Sequence, residues 1–391
     1  MSSDIPRFPP AAPRGISVVI PCLDEAGSIA TVVAQALVGI LASGLPGEVI
    51  VVDNGSTDGS AALASAAGAR VIAESARGYG SAIRRGFNEA RFEYLVMGDG
   101  DLTYDFAVIK PFIDLLDGNR ADLVVGNRWG DMRDGAMPFL HRYIGNPALS
   151  LTLRVLFRTN RVHDAHCGLR ALRRSAWERL GCVTTGMEFA SEMIVRAVHE
   201  HLRLKEIPIA YHPRVGESKL SSFRDGWRHL RFMLLHSPTW VLLLPGSLTW
   251  ALSLVLLWAI AVAEIQVHNR VLNIHSMLLG GLLNITSMQM LSIGTLSKAY
   301  AHFVGLRRDP LIVWFYQHFT FERLLLFTLP LTLLGVVLTV WVIAGWATSG
   351  YGPLNEVKVL FFAILCLING TQIGATGYLL SIMALPRPRG A

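Results

Sequence analysis

The chain has 391 residues, a formal net charge of +6 and a mean hydropathy of +0.42, and 52% of its residues are hydrophobic. This apolar share exceeds that of an ordinary soluble domain, and the excess lies after about Leu234. The basic balance fits acidic substrates or an anionic membrane surface. No stretch interleaves basic and aromatic residues as nucleic-acid sites do, so nucleic acid is not expected as a partner.

Residues 1–15 contain four prolines and no apolar stretch of the kind found in signal peptides. We expect a disordered lead-in here rather than a secretion signal. The four cysteines of the chain form no CxxC pair. This pattern predicts buried, reduced thiols rather than a disulfide framework.

Apolar β-branched runs alternate with segments of helical spacing over residues 16–220, which predicts an α/β domain with a mostly parallel sheet. The predicted strands are Ile16–Pro21, Glu48–Asp53, Arg70–Ile72, Tyr94–Met97 and Leu123–Val125. The predicted helices are Ser28–Leu41, Ser56–Ala67 and Ser81–Ala90. In such sheets ligands bind at the carboxyl ends of the strands.

Residues 221–238 have the composition of a helix in the membrane interface. Phe223, Trp227, Leu230 and Leu234 recur at helical spacing, and three arginines stand beside them. A globular helix with one core face would show a similar pattern. The direct continuation into an apolar segment favours the interfacial position.

Four apolar segments follow, each close to the roughly 20 residues that a helix needs to cross a bilayer. They run over about 240–262, 271–293, 324–346 and 359–385. We predict an all-α transmembrane domain of about four helices over residues 239–391. The distribution of positive charge around these segments predicts a cytoplasmic catalytic domain, in the inner or plasma membrane of a prokaryote.

The strongest chemical signal is Asp99-Gly100-Asp101, directly after the fourth predicted strand. Two carboxylates on a tight turn can share one hard cation, and Mg²⁺ typically binds through one or two carboxylates together with substrate phosphates. A cation held there would neutralise a leaving diphosphate. A lone D-x-D is a weak signal, but its place after a strand of an α/β domain favours a metal site.

Acidic side chains also follow the first two predicted strands, in VVIPCLDEAGSI and VVDNGSTDGS. Carboxylates such as Glu25 and Asp53 accept hydrogen bonds from nucleobase N–H groups or ribose hydroxyls. Turns of this composition also cap helices without any ligand, and that alternative stays open. In Arg77-Gly78-Tyr79-Gly80, two glycines before a helix permit close approach of a phosphate or sugar.

Basic residues complete the candidate site, and they are Arg128, Arg142, Arg214 and Lys219. A phosphate acceptor is already an anion at neutral pH, so it needs cations that hold donor and acceptor together rather than a strong base. Taken singly, each of these residues fits a solvated surface charge equally well. Glu188 and Glu192 share one helical face, where one could be catalytic, although structural roles are favoured.

In their order and spacing, these segments resemble the family 2 glycosyltransferases of the GT-A fold. Within that family they are similar to polyprenyl-phosphate sugar synthases, such as dolichol-phosphate mannose and dolichol-phosphate glucose synthases. The resemblance is carried by VVIPCLDEAGSI, VVDNGSTDGS, RGYGSAIRRGF, GDGDLTYDF, VVGNRW, HRYIGNPALS, HDAHCGLRAL and EIPIAYHPRVGESKL. The apolar tail is similar, by hydropathy, to the four-span anchors of some members.

The resemblance implies a role for each matching residue. The catalytic residues would be Asp99, Asp101 and Arg128, and the two aspartates would hold Mg²⁺ or Mn²⁺. The nucleotide-sugar would be bound by Pro21, Leu23, Glu25, Val51, Asp53, Gly100, Thr103, Arg214 and Lys219. The acceptor phosphate would be bound by Arg128, Arg142 and Asn146.

The implied reaction is a metal-dependent, inverting transfer of a hexose from a nucleotide-sugar to polyprenyl phosphate at the cytoplasmic membrane face. Thr103 stands where mannose synthases often have glutamine, and Gly100 where alanine is common. These departures, with a shortened stretch from Arg214 to Lys219, favour UDP-glucose over GDP-mannose. A processive polysaccharide synthase would share the fold, but its Q-x-x-R-W segment is not found before the first apolar segment.

Overall fold

The computed structural model describes residues 12–216, 222–262, 266–267, 270–271, 274–303, 309–318, 321–354 and 356–385. The chain divides into two compact units, one ending at Leu235 and the other beginning at His236. Residues 1–11 of the predicted lead-in lie outside the described residues.

The first unit is built on a seven-stranded sheet with the order β3-β2-β1-β4-β6-β5-β7. The strands are β1 (Ile16–Cys22), β2 (Gly47–Asp53), β3 (Arg70–Ala73), β4 (Tyr94–Met97), β5 (Leu123–Met132), β6 (Arg170–Arg173) and β7 (Leu204–Tyr211). Strand β6 runs antiparallel to its neighbours β4 and β5, whereas the other pairings are parallel. The five predicted strands and the mostly parallel sheet are confirmed.

Helices alternate with the strands and cover the sheet. They are α1 (Ile29–Ser43), α2 (Ser60–Ala66), α3 (Tyr79–Glu89), α4 (Lys110–Asp117), α5 (Asn146–Phe157), α6 (Arg174–Leu180), α7 (Phe189–His199) and α8 (Ser222–Leu235). Helix α1 shows why these segments form, because its buried Ile29, Val32, Val33, Ala36 and Ile40 recur at helical spacing. The core of the unit lies between such helices and the strands.

The predicted start of α2 at Ser56 is wrong, since the helix begins at Ser60. Aspartate side chains hold the preceding backbone in turns: Ser56 N–H donates to Asp53 Oδ1, and Thr57 N–H to Asp24 Oδ1. Strand β5 continues well beyond its predicted end because it pairs with β7 around a bulge. The charged residues of β7 interrupt its apolar pattern, so the sequence does not predict this strand.

The second unit is helical, and a single wide turn, Thr239–Leu243, leads into its first helix. Its helices are α9 (Leu244–Val262), α10 (Ile274–Phe303), α11 (Pro310–His318), α12 (Phe321–Thr348) and α13 (Val357–Met383). Among the described residues, four helices are long and apolar enough to cross a membrane: Thr239–Val262, Ile274–Phe303, Glu322–Thr348 and Val357–Met383. Helix α10 runs past the predicted limit of 293, and hydropathy alone does not predict the short α11.

Amides in two of the apolar helices have partners on neighbouring helices. Asn284 is 2% exposed, donates to Ser253 Oγ at 3.2 Å and accepts from Asn369 Nδ2 at 2.7 Å. These bonds link α9, α10 and α13. Hydrogen bonds between apolar helices hold a bundle together where no hydrophobic contrast with lipid can do so.

One fully buried cation, Arg170, fixes the loop that precedes β6. Its guanidinium donates to the carbonyl oxygens of Cys167 at 2.9 Å, Ala165 at 2.8 Å and Ala190 at 2.8 Å. Burial lowers the pKa of Arg170 from its ordinary value. The Arg170 side chain therefore joins this loop to α7 by donating hydrogen bonds to both.

We expect Arg170→Met to destabilise the first unit by about 3 kcal/mol, because three buried carbonyls lose their donor. Thermal unfolding of the purified protein in detergent measures the change. Arg85→Met is the matched control, since Arg85 pairs with Glu89 on the surface with 47% of its side chain exposed, and we expect it to change stability by less than about 0.5 kcal/mol. Equal stability losses in the two variants would contradict the role given to Arg170.

Candidate functional site

The D-x-D turn follows β4 and is packed against the end of β1. A Cβ on Gly100 would lie 3.3 Å from the carbonyl oxygen of Pro21, so little room exists for a side chain between the two acids. Ser28 Oγ donates to the Gly100 carbonyl at 2.7 Å. The start of α1 therefore fixes the turn that carries both carboxylates.

Asp101 is 7% exposed and accepts two hydrogen bonds from Thr103, from its N–H at 3.1 Å and its Oγ1 at 2.6 Å. Thr103 thus orients the carboxylate of Asp101. Arg214 lies on the other side, with its Nε 3.5 Å from Asp101 Oδ2 and its Nη2 donating to Glu25 Oε1 at 3.0 Å. The structure brings Glu25, Asp101, Thr103 and Arg214 into one cluster.

The segment after β7 is bonded to the D-x-D turn through its backbone. His212 N–H donates to the Thr103 carbonyl at 3.0 Å, and Val215 N–H to the Asp101 carbonyl at 3.1 Å. These bonds carry Arg214 to the carboxylates although it lies far away in sequence. Lys219, predicted on the same loop, lies outside the described residues.

Asp99 is a carboxylate with a strongly perturbed pKa. Burial, and next the charge of Asp101, raise the pKa of Asp99 to about 7, against the lowering influence of Tyr79, Arg128 and Arg214. A Cβ on Gly168 would lie 2.9 Å from Asp99 Oδ2. A side chain at position 168 would therefore force the Asp99 carboxylate to shift.

The predicted nucleotide residues at β1 and β2 lie side by side at one edge of the sheet. Pro21 and Cys22 pair with Val52 and Asp53 in parallel register. Asp53 also accepts a hydrogen bond from Ser56 N–H, which holds a turn; it does not cap α2, because that helix begins at Ser60 and has no side-chain cap. Val51 is fully buried, which limits its side chain to the core. Leu23 is half-buried in the loop beyond β1.

Arg128 is committed to a buried ion pair. Its Nε and Nη2 donate to the two carboxylate oxygens of Asp164 at 2.7 Å each, and its side chain is 6% exposed. The guanidinium also lies over the ring of Tyr211, 5.2 Å from its centroid. Arg128 therefore acts on Asp99 through its charge, while Asp164 fixes its orientation.

Arg142 and Asn146 lie on a separate segment, the turn before α5 and the first residue of that helix. The Arg142 guanidinium lies 5.4 Å from the centroid of the Tyr143 ring, and Asn146 Nδ2 lies 3.2 Å from Met137 Sδ. Within the described part of the chain, no hydrogen bond or ion pair joins these two residues to the carboxylate cluster. Their acceptor role stays a prediction.

Glu192 has the structural role that its helical position favours. It is 1% exposed and accepts from Val183 N–H, Thr184 N–H and Thr184 Oγ1, while Arg196 Nε donates to it at 2.7 Å. The loop so held packs on the turn around Tyr79, because Ser81 N–H donates to Thr185 O. The glycines beside Tyr79 are visible in the sequence, but no sequence signal predicts that Tyr79 and Gly168 lie beside Asp99.

A divalent cation fits the pair of aspartates. Among the described residues no group of three or more His, Cys, Asp or Glu side chains could hold a metal by itself. Mg²⁺ and similar ions nevertheless bind through one or two carboxylates when phosphates and waters supply the other ligands. The raised pKa of Asp99 reflects its burial and, next, the charge of Asp101, and a bound cation would offset both.

Two family models match this chain. Residues 17–181 match "Glycosyl transferase family 2", and residues 295–384 match "Glycosyltransferase family 2 C-terminal transmembrane region". The seven-stranded sheet is that of a GT-A fold, as the sequence predicts. The second match and the four apolar helices make the chain an integral membrane protein.

Relatives from Haloferax volcanii extend these matches. The low-salt glycan biosynthesis hexosyltransferase Agl6 is 37% identical over 369 residues, which cover 93% of this chain and 88% of that protein. A dolichyl-phosphate hexose transferase is 34% identical over 181 residues, which cover 46% of this chain and 76% of that protein. Among solved structures, glucosyl-3-phosphoglycerate synthase from Mycobacterium tuberculosis, with Mn²⁺ and UDP, aligns at a TM-score of 0.45 and 24% identity. The alignment covers 57% of this chain and 80% of that chain.

Asp99→Asn tests the electrostatics of the pair. The pKa of about 7 lies above the ordinary value of 3.8, so the native state loses stability through Asp99 as the pH rises between these values. We expect the variant to unfold at a higher temperature than wild type at pH 8, and the difference to vanish near pH 4. Asp101→Asn, which weakens contacts with Thr103 and Arg214, should lower the unfolding temperature at pH 8. The opposite order at pH 8 would contradict this account.

Proposed function

This chain belongs to glycosyltransferase family 2, and we propose that it transfers a hexose from a nucleotide-sugar to polyprenyl phosphate at the cytoplasmic face of a membrane. The observation that carries the proposal is the cluster of Asp99, Asp101, Glu25 and Arg214 at one end of the parallel strands. Two aspartates that can hold a metal ion, with Arg214 paired to Glu25 beside them, suit a metal-bound diphosphate. The family supplies the reaction class.

The lipid acceptor is supported by two observations. The chain carries its own membrane-spanning region, which a soluble acceptor would not require. One of its relatives acts as a dolichyl-phosphate hexose transferase. A phosphate acceptor also agrees with a site in which Arg214 lies 3.5 Å from Asp101 and the charges of Arg128 and Arg214 act on Asp99, because an anionic acceptor needs cations rather than a strong base.

The reaction we propose is one in-line displacement with inversion. A phosphate oxygen of the lipid attacks the anomeric carbon, and the bond from that carbon to the nucleoside diphosphate breaks. Asp99 and Asp101 would hold Mg²⁺ or Mn²⁺, which when bound supplies positive charge beside the diphosphate. Arg214 would exchange Glu25 for a phosphate oxygen, since an arginine fork suits either anion.

The remaining predicted residues take roles around this centre. Pro21, Leu23 and Asp53 would contact the nucleotide from the ends of β1 and β2, and Lys219 would contact its phosphates. Arg142 and Asn146 would bind the acceptor phosphate. UDP-glucose is the favoured donor because Thr103, which orients Asp101, replaces the glutamine common in mannose synthases.

A donor panel tests the activity. Purified protein is incubated with polyprenyl phosphate and each of several UDP- and GDP-sugars, and lipid-linked products are read by mass spectrometry. We expect product with UDP-glucose and none after chelation of divalent ions, with recovery on adding Mg²⁺ or Mn²⁺. Asp99→Ala should lower turnover at least about 100-fold. Absence of product from every donor, or full activity without divalent ions, would refute the proposal.

Arg214→Lys tests whether the guanidinium of Arg214 contacts two oxygens of the diphosphate or acts only through its charge. We expect a several-fold higher KM for the nucleotide-sugar with a smaller change in KM for the lipid, because a lysine cannot span two oxygens as the guanidinium does. Steady-state kinetics with each substrate varied in turn measure both constants. Arg203→Lys serves as the control, since Arg203 pairs with Asp122 on the surface away from the cluster. An unchanged KM for the donor would exclude Arg214 from diphosphate binding.

A further inference from the structure

Two histidines and two serines that the proposed mechanism does not use form a hydrogen-bonded cluster. Ser191 on α7 is fully buried, and its Oγ lies 2.8 Å from Nδ1 of His229 on α8 and 3.2 Å from Nε2 of His166, which is half-buried in the loop before β6. The two imidazole rings pack edge to face, with their centroids 4.6 Å apart. Ser150 on α5 completes the cluster, because its Oγ lies 3.5 Å from His166 Nδ1. One hydroxyl, that of Ser191, therefore bridges two histidines from distant parts of the chain.

Both histidines of the cluster are neutral at neutral pH. Burial, and next the charge of Arg170, lower the pKa of His229 to about 4. Burial and the charges of His229, Arg128 and Arg170 lower the pKa of His166 well below its ordinary value. A neutral imidazole has one N–H donor and one acceptor nitrogen, and a serine hydroxyl both donates and accepts. The four side chains therefore satisfy one another, and loss of one histidine leaves the buried Ser191 hydroxyl with an incomplete set of partners.

The loop of residues 164–168, which we call the site loop, contacts the candidate site at both of its ends. Its first residue, Asp164, accepts two hydrogen bonds from the Arg128 guanidinium and so fixes that cation. Its last residue, Gly168, lies so close to the D-x-D turn that an added Cβ would be 2.9 Å from Asp99 Oδ2. The middle residue of the site loop is the histidine that bonds to α7. A shift of that histidine would therefore disturb the groups that orient the cation and the carboxylate.

Helix α8, the last element of the first unit, carries the other histidine of the cluster. His229 is 7% exposed, and its neighbours Phe232 and Met233 are buried in the core of the unit. Helix α8 therefore has the core face that the sequence left open as an alternative for residues 221–238. It packs against both α5 and α7, so a displacement of α8 would reach the site loop through the bridging serine.

We propose that His229 is a positioning residue for the catalytic centre, which acts on the site loop through Ser191 and His166. Arg170 joins the same loop to α7 through carbonyl oxygens, whereas His229 joins it to α8. Each hydrogen bond in the cluster depends on a single nitrogen or hydroxyl, so one substitution interrupts the connection. The kinetic consequence rests on the proposed function, but the connection between α8 and the site loop does not.

The connection should affect turnover more than donor binding. Under the proposed function, Arg128 and Asp99 act beside the bond that breaks, and the site loop orients both of them. Arg214 is held instead by backbone bonds from the segment after β7 to the D-x-D turn, so its pairing with Glu25 does not pass through the site loop. Loss of the cluster should therefore lower kcat and leave the KM for the nucleotide-sugar nearly unchanged.

Hydrogen exchange followed by mass spectrometry tests the connection without any substrate. The site loop has protected amides, since Asp164 N–H donates to Glu206 Oε1 at 2.8 Å and Gly168 N–H donates to the Tyr104 hydroxyl at 2.8 Å. Exchange at these amides requires the loop to open. Full-length protein in detergent is compared with its variants through a peptide that covers the site loop.

We expect His229→Phe, which keeps a ring but removes its nitrogens, to speed exchange in the site loop at least about threefold. Ser191→Ala, which interrupts both bonds without adding bulk, should have the same effect. His229→Asn, whose amide still bonds to the serine, should restore slow exchange. Tyr94→Phe is the matched control, because it removes one hydroxyl bond, to Asp117 at 2.7 Å, at the end of β4 opposite the D-x-D turn.

Steady-state kinetics with the same variants test the consequence for catalysis. We expect kcat to fall about tenfold in His229→Phe and Ser191→Ala, with the KM for the nucleotide-sugar within about twofold of wild type. His229→Asn should recover most of kcat, and Tyr94→Phe should retain it.

Exchange in the site loop no faster in His229→Phe and Ser191→Ala than in Tyr94→Phe would overturn the proposal. Faster exchange with an unchanged kcat would also overturn it, because the loop would then not position the catalytic centre. If wild type gives no product with any donor, the proposed function fails, and the exchange measurement alone decides whether α8 holds the site loop.

Discussion

Two carboxylates forced together at the end of β4 are the constraint on which the rest of the site depends. Asp99 and Asp101 stand one residue apart on a turn that has little room for a side chain at Gly100. Placing like charges in a partly buried turn costs free energy, and the raised pKa of Asp99 records that cost. A ligand that brings positive charge to the two acids would offset that cost.

The protein compensates the acids in part through elements that are distant in sequence. Backbone bonds from the segment after β7 carry Arg214 to Asp101, and the same guanidinium reaches Glu25 on the loop after β1. The buried pair of Arg128 and Asp164 adds positive charge nearby without exposing it. Among the described residues, Arg214 therefore contacts two acids of the site, whereas Arg128 is fixed by its buried pair with Asp164.

Much of this could be predicted from the sequence, because the apolar runs of β1, β2 and β4 are each followed within three residues by an acid. The positions of Asp99, Asp101 and Glu25 follow from that rule about strand ends. The pairing of Arg128 with Asp164 could not be predicted, since it depends on how the bulged β5 meets a distant loop. The closeness of Gly168 to Asp99 is likewise a product of tertiary packing.

The apolar helices show the same limit of prediction from sequence. Hydropathy locates the long apolar helices, because each is nearly uniform along its length. It does not identify α5 as an exposed stripe, since Leu153 and Phe157 are just as apolar as Leu151 and Val155 and only burial distinguishes them. Which face of an amphipathic helix meets the core is decided by its neighbours.

Binding of Mn²⁺, followed by electron paramagnetic resonance in the presence of UDP, tests the central claim about the two aspartates most directly. The free-ion signal should fall on adding wild-type protein, because the carboxylates and the diphosphate share the ion. It should remain when Asp99→Asn or Asp101→Asn protein is added instead. Equal binding of Mn²⁺ by wild type and both variants would contradict the account.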